Sequence, residues 1–533
     1  MANYNSRHTG AEIDNAVDAV LANYSGINLI GVAGAQGFGV GICPPAELPA
    51  TMTPLSGTFD ITNDNYGNYA CVVDGSIMVW IPRFYFKIAT NTITVKGIDT
   101  YSAEANANAD GYAMHRAFID EGVVKSGFFV DKYKWSLSNF VHGVSGIASS
   151  VKNSNPISSE VASNRNATNL YAGSFSDCIS NSQAPTDTYG GAWAVAKSRG
   201  ANFAVMSIFI ADAIAKLSLA HGQASSATTY CAWYNATYNY PKGQNNSGAD
   251  VDDATCTFTV CDDGYWSARN DARKNGGANV LAKTTHNGQA CGITDINGNQ
   301  WEVVQGLSAI ATAYTIDNVT GDGTYVTIQT TAAHGLSANN WVMLTNLQTS
   351  LTNKIWKVYD VPSGTTFRIE STEGSITYTA GNATKATFYM FAEAIAIKNI
   401  TGSNSSATTD QFADAFLTDA AKNNVVPIQF ASGQDFGMRY GNSANQVLGF
   451  STVRTSDEYR SCNAGLPKLN GVSSGGTNAF GKDYFYQYMR DELCPVRFGN
   501  WTYSTGAGVW CVYLGSARTD SGRGGSGRSC LYI

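Results

Sequence analysis

The sequence predicts an α+β chain in which a mixed domain is interrupted by a small all-β module and preceded by a short helix and a stem. Three observations predict it. Ile77 to Ile88 (IMVWIPRFYFKI) and Gly127 to Tyr133 (GFFVDKY) are apolar runs with aromatic and β-branched residues, the pattern of strands. Met206 to Ala220 is apolar nearly all round, which predicts a buried helix rather than a surface one. Near Tyr314 the composition shifts to short strands separated by turn residues, at the spacing of an all-β unit. At 533 residues the chain exceeds one ordinary core, so several domains are expected.

Taken in order, Thr9 followed by Glu12 is a capping box, in which each side chain satisfies an orphan amide at a helix start. Ile13, Ala16, Val17, Val20 and Leu21 then recur at three- and four-residue spacing, giving one apolar stripe before Gly26. A helix this short is marginal alone, so the stripe needs a partner: its own chain, or the same helix in a homotrimer. His8 to Asp14 (HTGAEID) resembles the start of many phage tail and baseplate proteins. That resemblance implies the trimeric bundle and attachment to other tail proteins, so residues 1–25 are assigned to both tasks. Residues 26–70, rich in Gly and turn formers, read as a stem. The main domain is expected in two parts, 71–312 and 391–533, around a module at 313–390.

Within that module, Tyr325 to Thr331, Trp341 to Leu344, Lys354 to Tyr359 and Thr366 to Ile369 are the expected strands. The pattern AAHGLSANNWVML…WKVYDVPSGTTFRI resembles a small β-barrel module that recurs in phage structural proteins.

Charge excludes some partners. The charged fraction is 14%, well under the roughly 25% of ordinary soluble domains, so the surface must be built from Asn, Ser, Thr, Gly and Tyr. A net charge of −7 and the lack of a Lys/Arg cluster argue against nucleic acid, which needs a basic face. No run approaches the ~20 apolar residues of a membrane span. Met1 to His8 is polar and lacks the apolar core of a secretory signal. Assembly into a virion is one way such a protein could come to act outside the cell. Eleven cysteines, an odd count, read as mostly free, buried thiols, and no CxxC pair points to zinc.

Lys283 to Val303 reads KTTHNGQACGITDINGNQWEV. Its Asn-Gly pairs at 287–288 and 297–298, with Gly292, predict a chain of tight turns, and Trp301 a large buried anchor. His286, between turn residues, is expected to be structural. The segment resembles the core motif of the formylglycine-generating-enzyme type of C-type lectin fold, G-x-x-D-x-x-G-N-x-W-E. GSIMVWIPRFYFKI and GFFVDKYKWS resemble that fold's opening strands, and Arg497 to Ile533 its closing segment, so the likeness covers about 70–309 and 391–533. In the family this turn often holds calcium. Here the ligands would be the Asp295 and Glu302 side chains with the Gly298 and Gln300 carbonyls, hard oxygens suited to that ion. The alternative is that both acids cap and pair locally.

Asn500 to Ile533 reads NWTYSTGAGVWCVYLGSARTDSGRGGSGRSCLYI, apolar scaffold residues alternating with runs of Ser, Thr, Gly, Asp, Arg and Tyr. One reading is a Gly/Ser-rich closing loop of no special role. The pattern also resembles the variable region, here about 497–530, of phage tail proteins diversified by retroelements, in which adenine-directed mutagenesis rewrites Asn codons ending in a pyrimidine. Thr502, Tyr503, Ser504, Thr505, Cys511, Tyr513, Gly515, Ser516, Thr519, Asp520, Gly522, Arg523, Gly524, Gly525 and Ser526 fit the residues such codons can become. The resemblance implies that they face a receptor. Tyr and Arg supply contact energy there and Ser and Gly adaptable hydrogen bonds, the mixture of paratopes.

Enzymatic readings are weaker. The oxidases of the resembled fold use a close pair of cysteines, whereas Cys511 and Cys530 lack that motif's spacing. A glycosidase needs two carboxylates about 5–10 Å apart, and nothing singles out such a pair among Asp252, Asp253, Asp262 and Asp263. The expectation is a non-enzymatic, homotrimeric adhesin of a phage tail, resident in the virion and contacting a host-cell surface receptor, protein or glycan. It needs no cofactor beyond the calcium its turn could hold. A cellular or prophage-encoded ligand-binding protein of the same fold is the runner-up.

Overall fold

The computed structural model describes residues 30–101, 103–137, 147–158, 191–236, 241, 243–244, 249–250, 253–262, 272–347, 349–378, 380–399, 422–425, 432–441, 447–468, 472–473, 480, 482–517, 520 and 524–533. The helix expected at Thr9 to Ala22 lies outside them. The described residues are mostly β-sheet with few helices, 35% strand and 13% helix. Among the described residues no helix is long and apolar enough to cross a membrane.

A six-stranded antiparallel sheet runs in the order Met52–Pro54, Asn68–Cys71, Ile77–Pro82, Gly127–Asp131, Ser529–Tyr532 and Phe203–Val205. The last strand of the chain therefore lies between two early ones. The apolar run at 77–88 is two strands, Ile77–Pro82 and Phe84–Ala89, not one. Pro82 has no amide to continue the ladder, and Arg83 N turns instead to Ser126 O at 2.7 Å. The second strand then joins a separate three-stranded sheet with Thr92–Gly97 and Ala113–Met114.

The stretch read as a stem is, from Ile30 onward, part of the main domain. Ile30, Phe38, Val40, Tyr66 and Tyr69 are buried, and two of its segments are strands of the six-stranded sheet. Its glycines let the chain turn tightly over that core: Gly39, at φ +82°, brings its carbonyl within 3.1 Å of His286 Nε2.

The helix Ile208–Ala224 begins at Ser207, whose hydroxyl accepts from Ile210 N at 3.1 Å. Every residue from Ile208 to Gly222 is buried. Its two charges survive burial by pairing: Lys216, one turn beyond Asp212, meets that carboxylate, and His115 Nε2 reaches it at 2.9 Å. The helix centres the largest apolar core.

Leu307 to Phe391 forms a closed antiparallel circuit. Leu307–Gly321 pairs Tyr325–Thr330, followed by Thr366–Glu370, Lys354–Ser363, Trp341–Thr345 and Asn382–Phe391, which pairs back onto the first strand. Val326, Ile328, Val342, Trp356, Val358, Phe367 and Ile369 fill its own interior. The boundaries expected at 313 and 390 fall inside its first and last strands. That ribbon runs without a break from the main core, at Leu307, Ala309, Phe388 and Met390, into the barrel.

A seven-stranded sheet completes the main domain, in the order Val472–Ser473, Gly437–Tyr440, Tyr484–Tyr486, Val512–Tyr513, Val496–Arg497, Trp301–Val303 and Gly525–Ser526. It gathers the central motif and the closing segment into one surface.

Candidate functional site

The motif at 283–303 is a hub made of polar side chains. Thr284 to Asn287, Thr294, Asp295, Asn297, Asn299, Gln300 and Glu302 are all buried. Several of them bond backbone groups of other segments. Asn287 Nδ2 donates to Phe38 O at 2.8 Å, and Gln289 Oε1 accepts from Gly37 N at 2.7 Å. Asn299 exchanges two bonds with the backbone of Arg273, at 2.9 and 2.8 Å. His286 is satisfied on both ring nitrogens, Nδ1 by Ile293 N at 3.1 Å and Nε2 by Gly39 O.

Trp301 departs from the expected buried anchor. Its polar neighbours are buried and the indole is half-exposed, because Trp301 and Glu302 alternate across the strand. Glu302 points inward to Arg528, and Trp301 faces outward.

The two acids of the expected calcium turn are each beside a cation. Arg528 holds both Glu302 oxygens, Nε to Oε2 and Nη2 to Oε1, each at 2.6 Å. Asp295 Oδ2 accepts from Gly276 N at 2.7 Å and lies 3.6 Å from Lys134 Nζ. Gly298 and Gln300 sit in the same buried turn. Around Glu302 this donor set fits local pairing with the guanidinium, while Asp295 Oδ1 and Lys134 Nζ are buried without a hydrogen-bond partner among the described residues.

The closing segment divides into outward and inward positions. Thr502 is exposed; Tyr503, Ser504, Thr505, Tyr513, Gly515, Ser516, Asp520 and Gly524 are half-buried. Three of the expected receptor contacts are corrected: Cys511, Gly525 and Ser526 are buried. Cys511 lies beneath Gly499 and Ala507, with its carbonyl bonded to Phe498 N at 3.0 Å. Gly525 and Ser526 pair in parallel with Trp301 and Glu302, as the edge strand of the sheet. Thr519, Gly522 and Arg523 lie outside the described residues.

The outward positions share one aromatic surface. From Tyr484 to Arg490 (YFYQYMR) exposure alternates strictly: Tyr484, Tyr486, Tyr488 and Arg490 are half-exposed, and Phe485, Gln487 and Met489 buried. Tyr513 stacks on Tyr486 at 4.5 Å and 16°, its register partner on the neighbouring strand. Trp301 meets Tyr503 at 4.7 Å and Tyr513 at 5.5 Å, and Tyr503 meets Tyr484 at 5.7 Å. Sequence reasoning missed the tyrosine ladder, although its period of two was legible.

The charges described on this face are engaged. Arg490 pairs with Asp520 at 3.1 Å, and Arg439 is turned to Lys482 O at 2.6 Å. Burial holds the phenols of Tyr484, Tyr486, Tyr503 and Tyr513 above their ordinary range, so they remain hydrogen-bond donors at neutral pH. Beneath the turn, the carboxyl of Asp483 is wholly buried and pushed up to about 8 by burial. Trp510 N, donating to it at 2.7 Å, and nearby Arg439 and Arg497 offset part of that shift.

The residues weighed for catalysis are engaged elsewhere. Asp253 pairs with Lys283 at 2.6 Å and Asp262 with Lys274 at 2.5 Å; Asp252 and Asp263 are outside the described residues. All ten described cysteines are buried with no disulfide between them, and burial raises the Cys511 and Cys530 thiols above their ordinary range. The sequence matches no protein-family model and no curated protein.

Proposed function

We propose that the chain is a non-enzymatic adhesin of a phage tail with a C-type-lectin-like main domain of the formylglycine-generating type. It binds a host-cell surface receptor, protein or glycan, through a retroelement-diversified closing segment. The adhesin is assembled into the virion as a homotrimer through its N-terminal residues, and it acts outside the cell. Three copies of one face add avidity to contacts that are individually weak.

The observation that carries this reading is the company the closing segment keeps. Tyr503 and Tyr513 stand among Trp301, Tyr484 and Tyr486 on one half-exposed aromatic surface, while the residues between them, Val509, Trp510 and Val512, are buried scaffold. Rigid aromatic anchors amid small polar residues are the composition of a paratope. Two further features agree with the lectin-like build. The closing strand Ser529–Tyr532 pairs with the early strand Gly127–Asp131, and the central motif joins the closing segment in a second sheet.

The test is to sequence the DNA flanking the gene. A reverse transcriptase with a near-copy of the 497–533 coding segment, differing only at adenines, is the expected result. Finding neither element overturns the diversified-face reading.

A further inference from the structure

The barrel at Leu307–Phe391 carries an aromatic patch that its own fold does not require. Tyr325 and Tyr359 belong to strands that are not neighbours, with Thr366–Glu370 between them. Their rings nevertheless lie 4.6 Å apart, tilted by 33°, across that strand. Arg368, on the middle strand, sets its guanidinium 5.0 Å from the Tyr325 ring centre and 5.8 Å from that of Tyr359.

A β-bulge makes the arrangement. Val358 pairs with Ile369 and Asp360 with Arg368, so two steps on one strand meet a single step on the other and Tyr359 is the extra residue. In an unbroken strand Asp360 would share the inward face of Val358. The bulge instead turns Tyr359 and Asp360 outward together. Tyr359 is 44% exposed, and Asp360 grips Arg368 through both carboxylate oxygens, one at 2.7 Å. Thr327, the cross-strand partner of Arg368, and Glu370, that of Tyr325, complete the rim.

We propose that this patch is a second binding site, separate from the closing-segment face, and that its ligand is a neutral saccharide of the host surface. The aromatic faces offer stacking surface to the C–H side of a pyranose ring. The charges of Arg368 and Asp360 cancel within their pair, and the Glu370 carboxylate at the rim disfavours an anion, so the patch does not select an acidic saccharide. That pair is also held flat and fixed, presenting N–H donors and carboxylate lone pairs side by side, the geometry that neighbouring hydroxyls satisfy. The inference does not depend on the closing segment's role.

The experiment titrates the full chain with a panel of neutral oligosaccharides built from glucose, galactose, mannose and N-acetylhexosamine units, read by calorimetry and ligand-observed NMR. Binding of at least one, weakened roughly ten-fold or more by Tyr359→Ala and by Arg368→Lys, is expected. Equal thermal midpoints for the variants and the parent guard against loss of fold. No binding across the panel, or binding that survives both substitutions, overturns the proposal. So does a patch that captures only protein receptors. A missing reverse transcriptase leaves this result untouched, so the two readings fail separately.

Discussion

Arg528 and Glu302, 226 positions apart in the chain, form a two-pronged ion pair with neither side chain exposed to water. Arg528 also donates to the carbonyls of Lys132 and Thr294, at 2.8 and 2.5 Å. One guanidinium thus ties the closing segment to the central motif and to an early strand. Burial raises the Glu302 carboxyl above its ordinary range, and Arg528 opposes that shift.

Removing one partner leaves the other charge buried and unpaired. Arg528→Met is expected to cost about 3–5 kcal/mol in chemical denaturation, and the double variant with Glu302→Gln to recover a large part of it. Equal stability of the single variant and the parent would contradict the pairing.

Because the Glu302 oxygens face Arg528 and Asp295 lies beside Lys134, calcium is expected to add nothing. Thermal midpoints in millimolar calcium and in chelator should coincide. A rise with calcium would mean that the turn opens its ion pairs to admit the ion.

Stability should depend on pH in two opposed ways. His115, His221 and His286 are held down to about 4 by burial, and in each Nδ1 accepts a backbone amide, so protonation would break a bond. The unfolded chain takes up these protons below about 6.5 while the folded chain refuses them, so stability falls as pH drops from 6.5 towards 4. Asp483 acts in reverse. Folded, it keeps its proton up to about 8, and unfolded it releases it near 3.8, so stability declines as pH rises through that interval. Asp483→Asn should remove roughly 2 kcal/mol of the decline between pH 6.5 and 8 and steepen the acid limb, where Asp483 otherwise offsets part of the histidine effect, as seen in denaturant titrations at several pH values.

On the aromatic face, Tyr486→Ala, Tyr513→Ala and Trp301→Ala should each weaken adsorption of the purified protein to host cells by about 2 kcal/mol, roughly thirty-fold, while the protein stays folded at the assay temperature with a thermal midpoint lowered by the loss of a partly buried ring. Cys511→Ala should do the opposite, lowering stability and sparing adsorption, since its sulfur is buried. Adsorption unchanged in all three aromatic variants would move the binding site elsewhere.

The sequence by itself determined the local elements whose signal is periodicity or exclusion. The all-round apolar run at 206–220 could only be buried, and Ile208–Ala224 is. The four short runs of the module are strands because alternating apolar residues near turns have little other use. Eleven scattered cysteines read as mostly free, buried thiols, and the ten described are buried with no disulfide between them. What only the tertiary structure decided depends on contacts between distant residues. The stretch before 70 reads as a stem because its glycines and turns carry no period, and its burial comes from His286 and Asn287, some 250 residues later. Trp301 reads as an anchor from its size. Its outward face follows from Glu302, which must turn inward to Arg528, and alternation leaves the indole on the other side. In the closing segment, composition marked a surface, and pairing with Trp301 and Glu302 withdrew Gly525 and Ser526 from it. A one-dimensional pattern records which side chains can face water, and the strand register with a remote partner decides which of them do.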